Sequence, residues 1–276
     1  MTDNEFFALV SLLEDNDEVI HKEIEKKLLS MGESVIPRLE VEWGKNKQAL
    51  VQERITEIIE DIHAQSTLQK IKTWRSSETK DLFEGWFIIS QYQYPTLQID
   101  IFRNKINRLV NMIWLEMSYS NTYSDKILAL NRILFDIEKY HAHTKTPAEA
   151  RTFFLKDVFE RKEGNPFSLG ILYLLICHKL ELPISAVVLP HYIALHYEDS
   201  RNSFYIDAFN KGSFFNKNNL EEYIRESGFE HQDAYYKPAS PLEIVAAMLK
   251  ALAESYEADG KKYKLKTVRE LLKIVR

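Results

Sequence analysis

A single cysteine, Cys177, excludes an intrachain disulfide and any cysteine-rich zinc module from this chain of 276 residues. Glycine is scarce as well. Its 8 residues lie well under the usual ~7%, which removes many tight turns and points to a largely helical chain. No run of 18 apolar residues is present to span a bilayer. The start, MTDNEFFALVSLLEDNDE, is acidic and has no basic segment leading into an apolar one, so no secretory signal is expected and the cytoplasm is the expected compartment. Lys plus Arg at 36 against Asp plus Glu at 41 leave a net charge of −5, which argues against binding a phosphate backbone through the overall field. What the chain does have is 45% apolar and 28% charged residues, the composition of a soluble globular protein. Its length suits about two domains.

From Glu5 to about Ser90, short amphipathic helices alternate with turn signals. Val19, Ile20, Ile24 and Leu28 recur at helical spacing behind the cap cluster Asp15-Asn16-Asp17, and Gly32 ends that helix. A second helix carries Ile36, Leu39 and Trp43 and accepts Pro37 in its first turn. The pair is a helical hairpin resembling one HEAT-like unit, and LVQERITEIIEDIHAQSTLQKI is placed to start the next, without a strict repeat period. Three longer helical patterns follow between Asp81 and His141. The 97–119 segment carries Leu97, Ile101, Ile106, Leu109, Val110 and Ile113 on a broad apolar stripe. Pro95 ends the preceding helix after QYQY, and HAHTKTPAEA reads as a polar loop.

After Ala150 the composition shifts. A polar loop at Arg161-Lys162-Glu163-Gly164 leads to Asn165-Pro166, which open a strongly apolar helix from about Phe167 to Leu180. ISAVVLP, HYIALHYED and NSFYIDAF are short β-branched and aromatic runs that read as a small antiparallel sheet. The chain then returns to helix in NKNNLEEYIRESG, in SPLEIVAAMLKALAESYEADG with Ser240 as cap and Pro241 at the first helical position, and in KKYKLKTVRELLKIVR. The last two form a hairpin hinged at Gly260.

A glycine loop, a buried helix and then strands bearing a His and an Asp are an order that suits nucleophilic catalysis. The helix N-terminus lowers a thiol's pKa, a His takes its proton and a carboxylate fixes the imidazole. Each residue nevertheless has a plainer role beside the chemical one. Cys177 lies nine residues past Ser168 on the same helix, roughly 13 Å along the axis, and reads as a core thiol. Ser168 is a helix cap, a ligand contact or a nucleophile; His191 is a rim histidine, a binding residue or a base. Asp207 either holds a loop by bonding N–H groups near Asn210 and Gly212, or orients an imidazole. His141 and His143 have no third ligand at a sensible spacing, so no metal site is expected. His191 and His196 face opposite ways if both lie on a strand. The basic stretch from Lys261 to Lys273 reads as a solvated helix face, with an acidic partner or nucleic acid as the lesser alternative. Tyr192, Tyr197, Phe204, Tyr205, Phe209, Phe214 and Phe215 form either a core with its rim or the wall of a groove for an extended peptide or amide.

The phrases ERKEGNPFSLGILYL, LELPISAVVLP and YIDAFNKG, with GWFIISQYQYP and ALNRILFD before them and SPLEIVAAMLKAL after, resemble the SirB-type family of bacterial transglutaminase-like proteins over roughly residues 80–270. The resemblance implies a papain-like core, in which a nucleophile helix packs on an antiparallel sheet with helical additions, and names no reaction. Carried over residue by residue, it puts the nucleophile cysteine position at or near Pro166, with Ser168 the nearest hydroxyl in the first turn. It puts Tyr192 where the family's histidine stands. His191 is then displaced by one residue, which on a strand means the opposite face unless a bulge beside Pro190 re-aims it. Asp207, in YIDAF, matches the third position, with Ala208 in place of the usual proline.

The expected fold is therefore helix-dominated α+β: a HEAT-like helical module at 1–78, a papain- or transglutaminase-like core with a small antiparallel sheet at 79–236, and a C-terminal helical hairpin at 237–276 packed on that core. The expected function is that of a catalytically degenerate transglutaminase-like protein, a pseudoenzyme serving as a binding or regulatory scaffold for a protein or peptide partner. Asn165, Tyr192, Tyr205 and Phe209 are its expected binding residues. The alternative is an amide hydrolase or acyltransferase with Ser168 as nucleophile, His191 as base and Asp207 as orienter. No cofactor, metal or membrane contact is expected, and nucleic acid is disfavoured.

Overall fold

The computed structural model describes residues 2–15, 17–118, 122–145 and 147–276; Asn16 of the expected cap cluster and Thr146 of the expected polar loop lie outside the described residues. The chain divides into two compact units, Met1–Lys70 and Ile71–Arg276.

The first unit contains α1 (Asp3–Ser11), α2 (Glu18–Ser30), α3 (Ile36–Lys45) and most of α4 (Ala49–Ser76). Short polar side chains start the first two helices. Thr2 and Glu5 form a reciprocal capping box on α1, and Asp17 accepts from the Val19 N–H at the head of α2. The core is aliphatic, with Leu13, Leu28, Leu39, Val51 and Ile55 fully buried. Val19 and Trp43, expected on apolar faces, are instead exposed. Val19 sits five residues before Ile24, about 140° round the helix from it, and so falls off the buried stripe. Where a second hairpin was expected, α4 runs unbroken for 28 residues, because no glycine or proline interrupts 49–76. The division between the units falls inside this helix rather than at residue 78.

The second unit contains α5 (Leu82–Gln93), α6 (Ile99–Met117), α7 (Tyr123–Asn131) with a π-helical turn at Arg132–Ile137, α8 (Leu155–Arg161), α9 (Pro166–Lys179), α10 (Lys217–Glu226), α11 (Pro241–Ala258) and α12 (Lys262–Val275). Four antiparallel strands form one sheet in the order β3 (Ile184–Leu189), β4 (Tyr192–Glu198), β5 (Ser203–Asp207) and β6 (Ser213–Phe215). Two further strands of two residues each, β1 (His141–Ala142) and β2 (Glu163–Gly164), pair in parallel. The fold is helix-dominated α+β, as the sequence implies. Three of the four sheet strands were anticipated; β6 is three residues long and too short to show alternation. On α6, Ile101 is exposed and Phe102 takes the buried place expected of it.

The helix α9 explains the position of everything around it. From Phe167 to Cys177 all its residues are buried, so it is apolar on every face and lies inside the unit. A Cβ on Gly170 would stand 2.4 Å from Ile193 Cγ2, and only glycine permits that approach of α9 to β4. The C-terminal hairpin belongs to this unit. Ser240 and Glu243 cap α11, Gly260 turns the chain at φ 67°, and Val268 and Leu271 of α12 are fully buried. Of its basic residues, Lys264 donates to Gln93 Oε1 at 2.7 Å and Arg269 pairs with Glu257 at 2.9 Å.

Candidate functional site

At the N-terminus of α9 lies a cavity of about 510 Å³. Its wall includes Asn165, Pro166 and Phe167 from the helix start, His191 and Tyr192 from the β3–β4 hairpin, Phe209 after β5, His143, Lys145 and Phe153 from the segment before α8, and Glu254 of α11. Asn165 begins the helix and Pro166 occupies its first position, where a missing N–H costs nothing.

The three sequence-predicted catalytic residues are each engaged with a different partner. Ser168 is fully buried and closes the capping box: its Oγ accepts from the Asn165 N–H at 3.0 Å, while the Ser168 N–H donates to Asn165 Oδ1 at 3.0 Å. Gly164 is packed against this box, since a Cβ there would stand 2.6 Å from Ser168 Oγ. No imidazole is among the hydrogen-bond partners of Ser168.

His191 lies in the turn between β3 and β4, not on a strand. Leu189 pairs with Tyr192, so Pro190 and His191 are a two-residue loop, and His191 stands at φ 60°. Proline followed by a residue of positive φ is the pattern of a type II turn. The turn, not the pleat, therefore sets the direction of this ring, and the opposite-face expectation does not apply. Its Nδ1 lies 3.0 Å from Glu254 Oε2, its ring rests against Phe229, and about half of the side chain is exposed.

Asp207 Oδ1 accepts from the Tyr192 hydroxyl and, at 3.0 Å, from the Asn210 N–H, while its carbonyl accepts from the Gly212 N–H at 2.8 Å. It thus holds the loop after β5 and the phenol together. Burial, reinforced by the charge and hydrogen bond of Asp207, pushes the Tyr192 phenol far above its ordinary range. Tyr192 also packs against Phe209 and Tyr223.

Of the expected binding residues, Asn165, Tyr192 and Phe209 share the cavity wall. Tyr205 does not: it stacks between His196 at 4.6 Å and Phe215 at 5.3 Å and packs with Leu220 and Ile224 of α10. Cys177 is fully buried, and burial alone pushes its thiol up.

Sequence reasoning left His143 without a role. The parallel bridge of β1 to β2 sets its place: the His143 N–H donates to the Gly164 carbonyl at 2.8 Å, one residue before the cap of α9. Its side chain is 4% exposed, and Nδ1 lies 2.9 Å from Glu163 Oε1. Glu163 Oε2 in turn accepts from Arg151 at 2.6 Å, Arg151 donates to Glu149 at 2.7 Å, and Glu149 accepts from Lys145 at 2.8 Å. Burial pushes the Glu163 carboxyl up, but the hydrogen bonds from His143 and Arg151 outweigh it and hold the group below the ordinary carboxylate range. Hydrogen bonds from Lys145 and Arg151 lower Glu149 to about 2. His141, the other half of the expected histidine pair, is exposed, and no cluster of three metal-ligating side chains occurs among the described residues. Nor is any described helix long and apolar enough to cross a membrane.

The model of a family described as the transglutaminase-like superfamily matches residues 101–250, just over half of the chain. A UPF0162 protein of Xylella fastidiosa (strain 9a5c) is 26% identical over 148 residues, covering 54% of this chain and 53% of that protein. A UPF0162 protein of Vibrio cholerae is 22% identical over 149 residues, covering 53% and 54% respectively. F-box only protein 21 of Homo sapiens is 30% identical over 92 residues, which is 30% of this chain and 15% of that protein. The chain spans about half the length of the UPF0162 proteins it matches. No solved structure matches it.

Proposed function

Given that the chain belongs to the transglutaminase-like superfamily, we propose that it is a catalytically degenerate member of the SirB type. In this reading it is a binding or regulatory scaffold whose cavity at the head of α9 receives a protein or peptide partner. The observation that carries the reading is the helix start itself. The SirB-type resemblance puts a cysteine at or near Pro166, and the nearest hydroxyl, that of Ser168, is closed in a capping box. Covalent acyl transfer needs a nucleophile with a base within hydrogen-bond reach. Tyr192, at the position of the family's histidine, donates its only proton to Asp207 and, as a phenol shifted upward, is no base for a thiol or an alcohol. What the cavity keeps is an aromatic wall with polar tips, the surface that suits binding an extended segment.

The test is a pair of assays, ester hydrolysis and incorporation of a fluorescent primary amine, on the full chain and on Asp207→Ala. The reading expects neither protein to exceed the uncatalysed rate. A wild-type rate that Asp207→Ala abolishes overturns it.

A further inference from the structure

A second cavity, of about 210 Å³, shares no lining residue with the one at the head of α9; its wall includes Lys105 and Arg108 of α6, Phe159 of α8, and Glu138, Tyr140 and Lys162. Contacts place the heads of the three cations. Arg108 Nη2 donates to Glu138 Oε1 at 2.7 Å and Lys162 Nζ to Glu138 Oε2 at 2.9 Å, so the two lie side by side on one carboxylate. Lys162 Nζ also reaches the Tyr140 hydroxyl at 3.3 Å, and the Lys105 ammonium stands 5.7 Å from the centre of the Phe159 ring, which packs edge-on against Tyr140. Three cations against one carboxylate leave this wall a surplus of two positive charges. The Glu138 side chain is 10% exposed, against 32% for Lys162 and 70% for Arg108, so the carboxylate lies beneath and the cations open to solvent. Their donors are not used up. A guanidinium has five N–H groups and an ammonium three; Arg108 spends one on Glu138, Lys162 spends one each on Glu138 and Tyr140, and Lys105 Nζ meets rings rather than an oxygen. Lys162 stands at φ 58° directly after α8, the left-handed position that glycine usually fills, so the chain holds an ammonium-bearing residue where glycine would cost less.

We propose that this recess binds the dianionic phosphate group of a monoester, whose oxygens accept from Arg108 and Lys162 with Lys105 beside them. A phosphate monoester carries close to the two negative charges that the wall lacks, and its oxygens accept strong, charge-assisted bonds from a guanidinium fork and an ammonium. The volume lies below the ~300 Å³ at which pockets for drug-sized ligands begin, so the recess encloses the phosphate group rather than the whole molecule that carries it. Nothing in this recess depends on what the cavity at the head of α9 binds.

The test titrates the full chain, in phosphate-free buffer at about pH 7.5, with methyl phosphate, dimethyl phosphate and N-acetyl-phosphoserinamide, and follows the ³¹P shift of each probe. With a second pKa of ~6, methyl phosphate is mostly a dianion there, whereas dimethyl phosphate carries a single charge. Methyl phosphate should bind saturably and about tenfold tighter than dimethyl phosphate. No saturable shift, or equal affinities, overturns the proposal. A further gain of N-acetyl-phosphoserinamide over methyl phosphate supports a phosphorylated polypeptide as the source, and no gain supports a small phosphate ester. Lys162→Gly relieves the left-handed backbone and leaves Glu138 with Arg108, so the circular dichroism should be kept while the affinity for methyl phosphate falls about tenfold. Arg108→Gln should weaken binding to a similar degree, and an unchanged affinity in both variants is a contrary result. Lys139→Gln is the control, since Lys139 is exposed and lies outside the recess beside Glu138 in the chain; it should leave the affinity as it was. A loss as large as that of Lys162→Gly would mean diffuse attraction to surface charge and would sink the site.

Discussion

Two carboxylates each hold an aromatic ring of the cavity wall, and they leave opposite remainders. Asp207 takes the one O–H of Tyr192, after which the phenol has nothing further to exchange. Glu163 holds Nδ1 of His143, after which the imidazole still has Nε2. Tyr192 at the start of β4 fastens the loop after β5 through Asp207 and offers no ring nitrogen that could take up a proton. The difference between the two pairs is the difference between a ring with one polar atom and a ring with two.

That contrast can be broken by removing each carboxylate. Glu163→Ala strands the buried His143 Nδ1 and leaves Arg151 with Glu149 alone, and it should cost about 3 kcal/mol in urea unfolding. Asp207→Ala strands the largely buried Tyr192 hydroxyl, while the Asn210 N–H keeps the main-chain carbonyl of residue 207, for about 2 kcal/mol by the same measurement. Ser168→Ala keeps the Asn165 cap and strands one buried N–H, that of Asn165, and should cost about 1 kcal/mol. A cost for Ser168→Ala above that of Glu163→Ala would reverse the ranking and with it the contrast.

The smallest effect at neutral pH separates the pairs by the side on which they titrate. Glu149 and Glu163 titrate below the ordinary carboxylate value of 4.5, Glu149 at about 2. Their contribution is therefore present above pH 4.5 and lost as pH falls from there toward 2. Tyr192 is raised above the ordinary phenol value of 10.0, so its contribution is present below pH 10 and lost as pH rises past it. Unfolding midpoints across both ranges check the two signs: Glu163→Gln should flatten the acid limb alone, and Tyr192→Phe the alkaline limb alone.

Much of the scaffold could be read in the sequence because short local rules place it. Asn165-Pro166 before an all-apolar run marks the start of α9, Ser240-Pro241 marks α11, and alternating β-branched and aromatic residues mark β3 to β5. Asp207 as the fastener of its own loop was also local, since Asn210 is three residues away. What escaped depends on distance along the chain or on a single dihedral. His143 meets Glu163 across 20 residues through a parallel bridge of two residues a side, which leaves no periodic signal. His191 was given a strand direction because Pro190 was read as punctuation before β4; it is instead half of the turn, with His191 in the left-handed region that glycine usually fills. Tyr205 looked like a groove residue because an aromatic run does not reveal how far along a sheet face each ring lies. It shares that face with Tyr192 and Asp207 but lies farther along it, paired across the strands with His196 and Phe215 beside α10.

The central claim is that the cavity at the head of α9 offers no reactive nucleophile. Its most direct test is the intact mass of the native chain after exposure to a fluorophosphonate and to iodoacetamide. The account predicts an unchanged mass in both cases, and a single alkylation at Cys177 once the protein is unfolded. A stoichiometric adduct on Ser168, or on any other residue of that cavity in the folded protein, would contradict it.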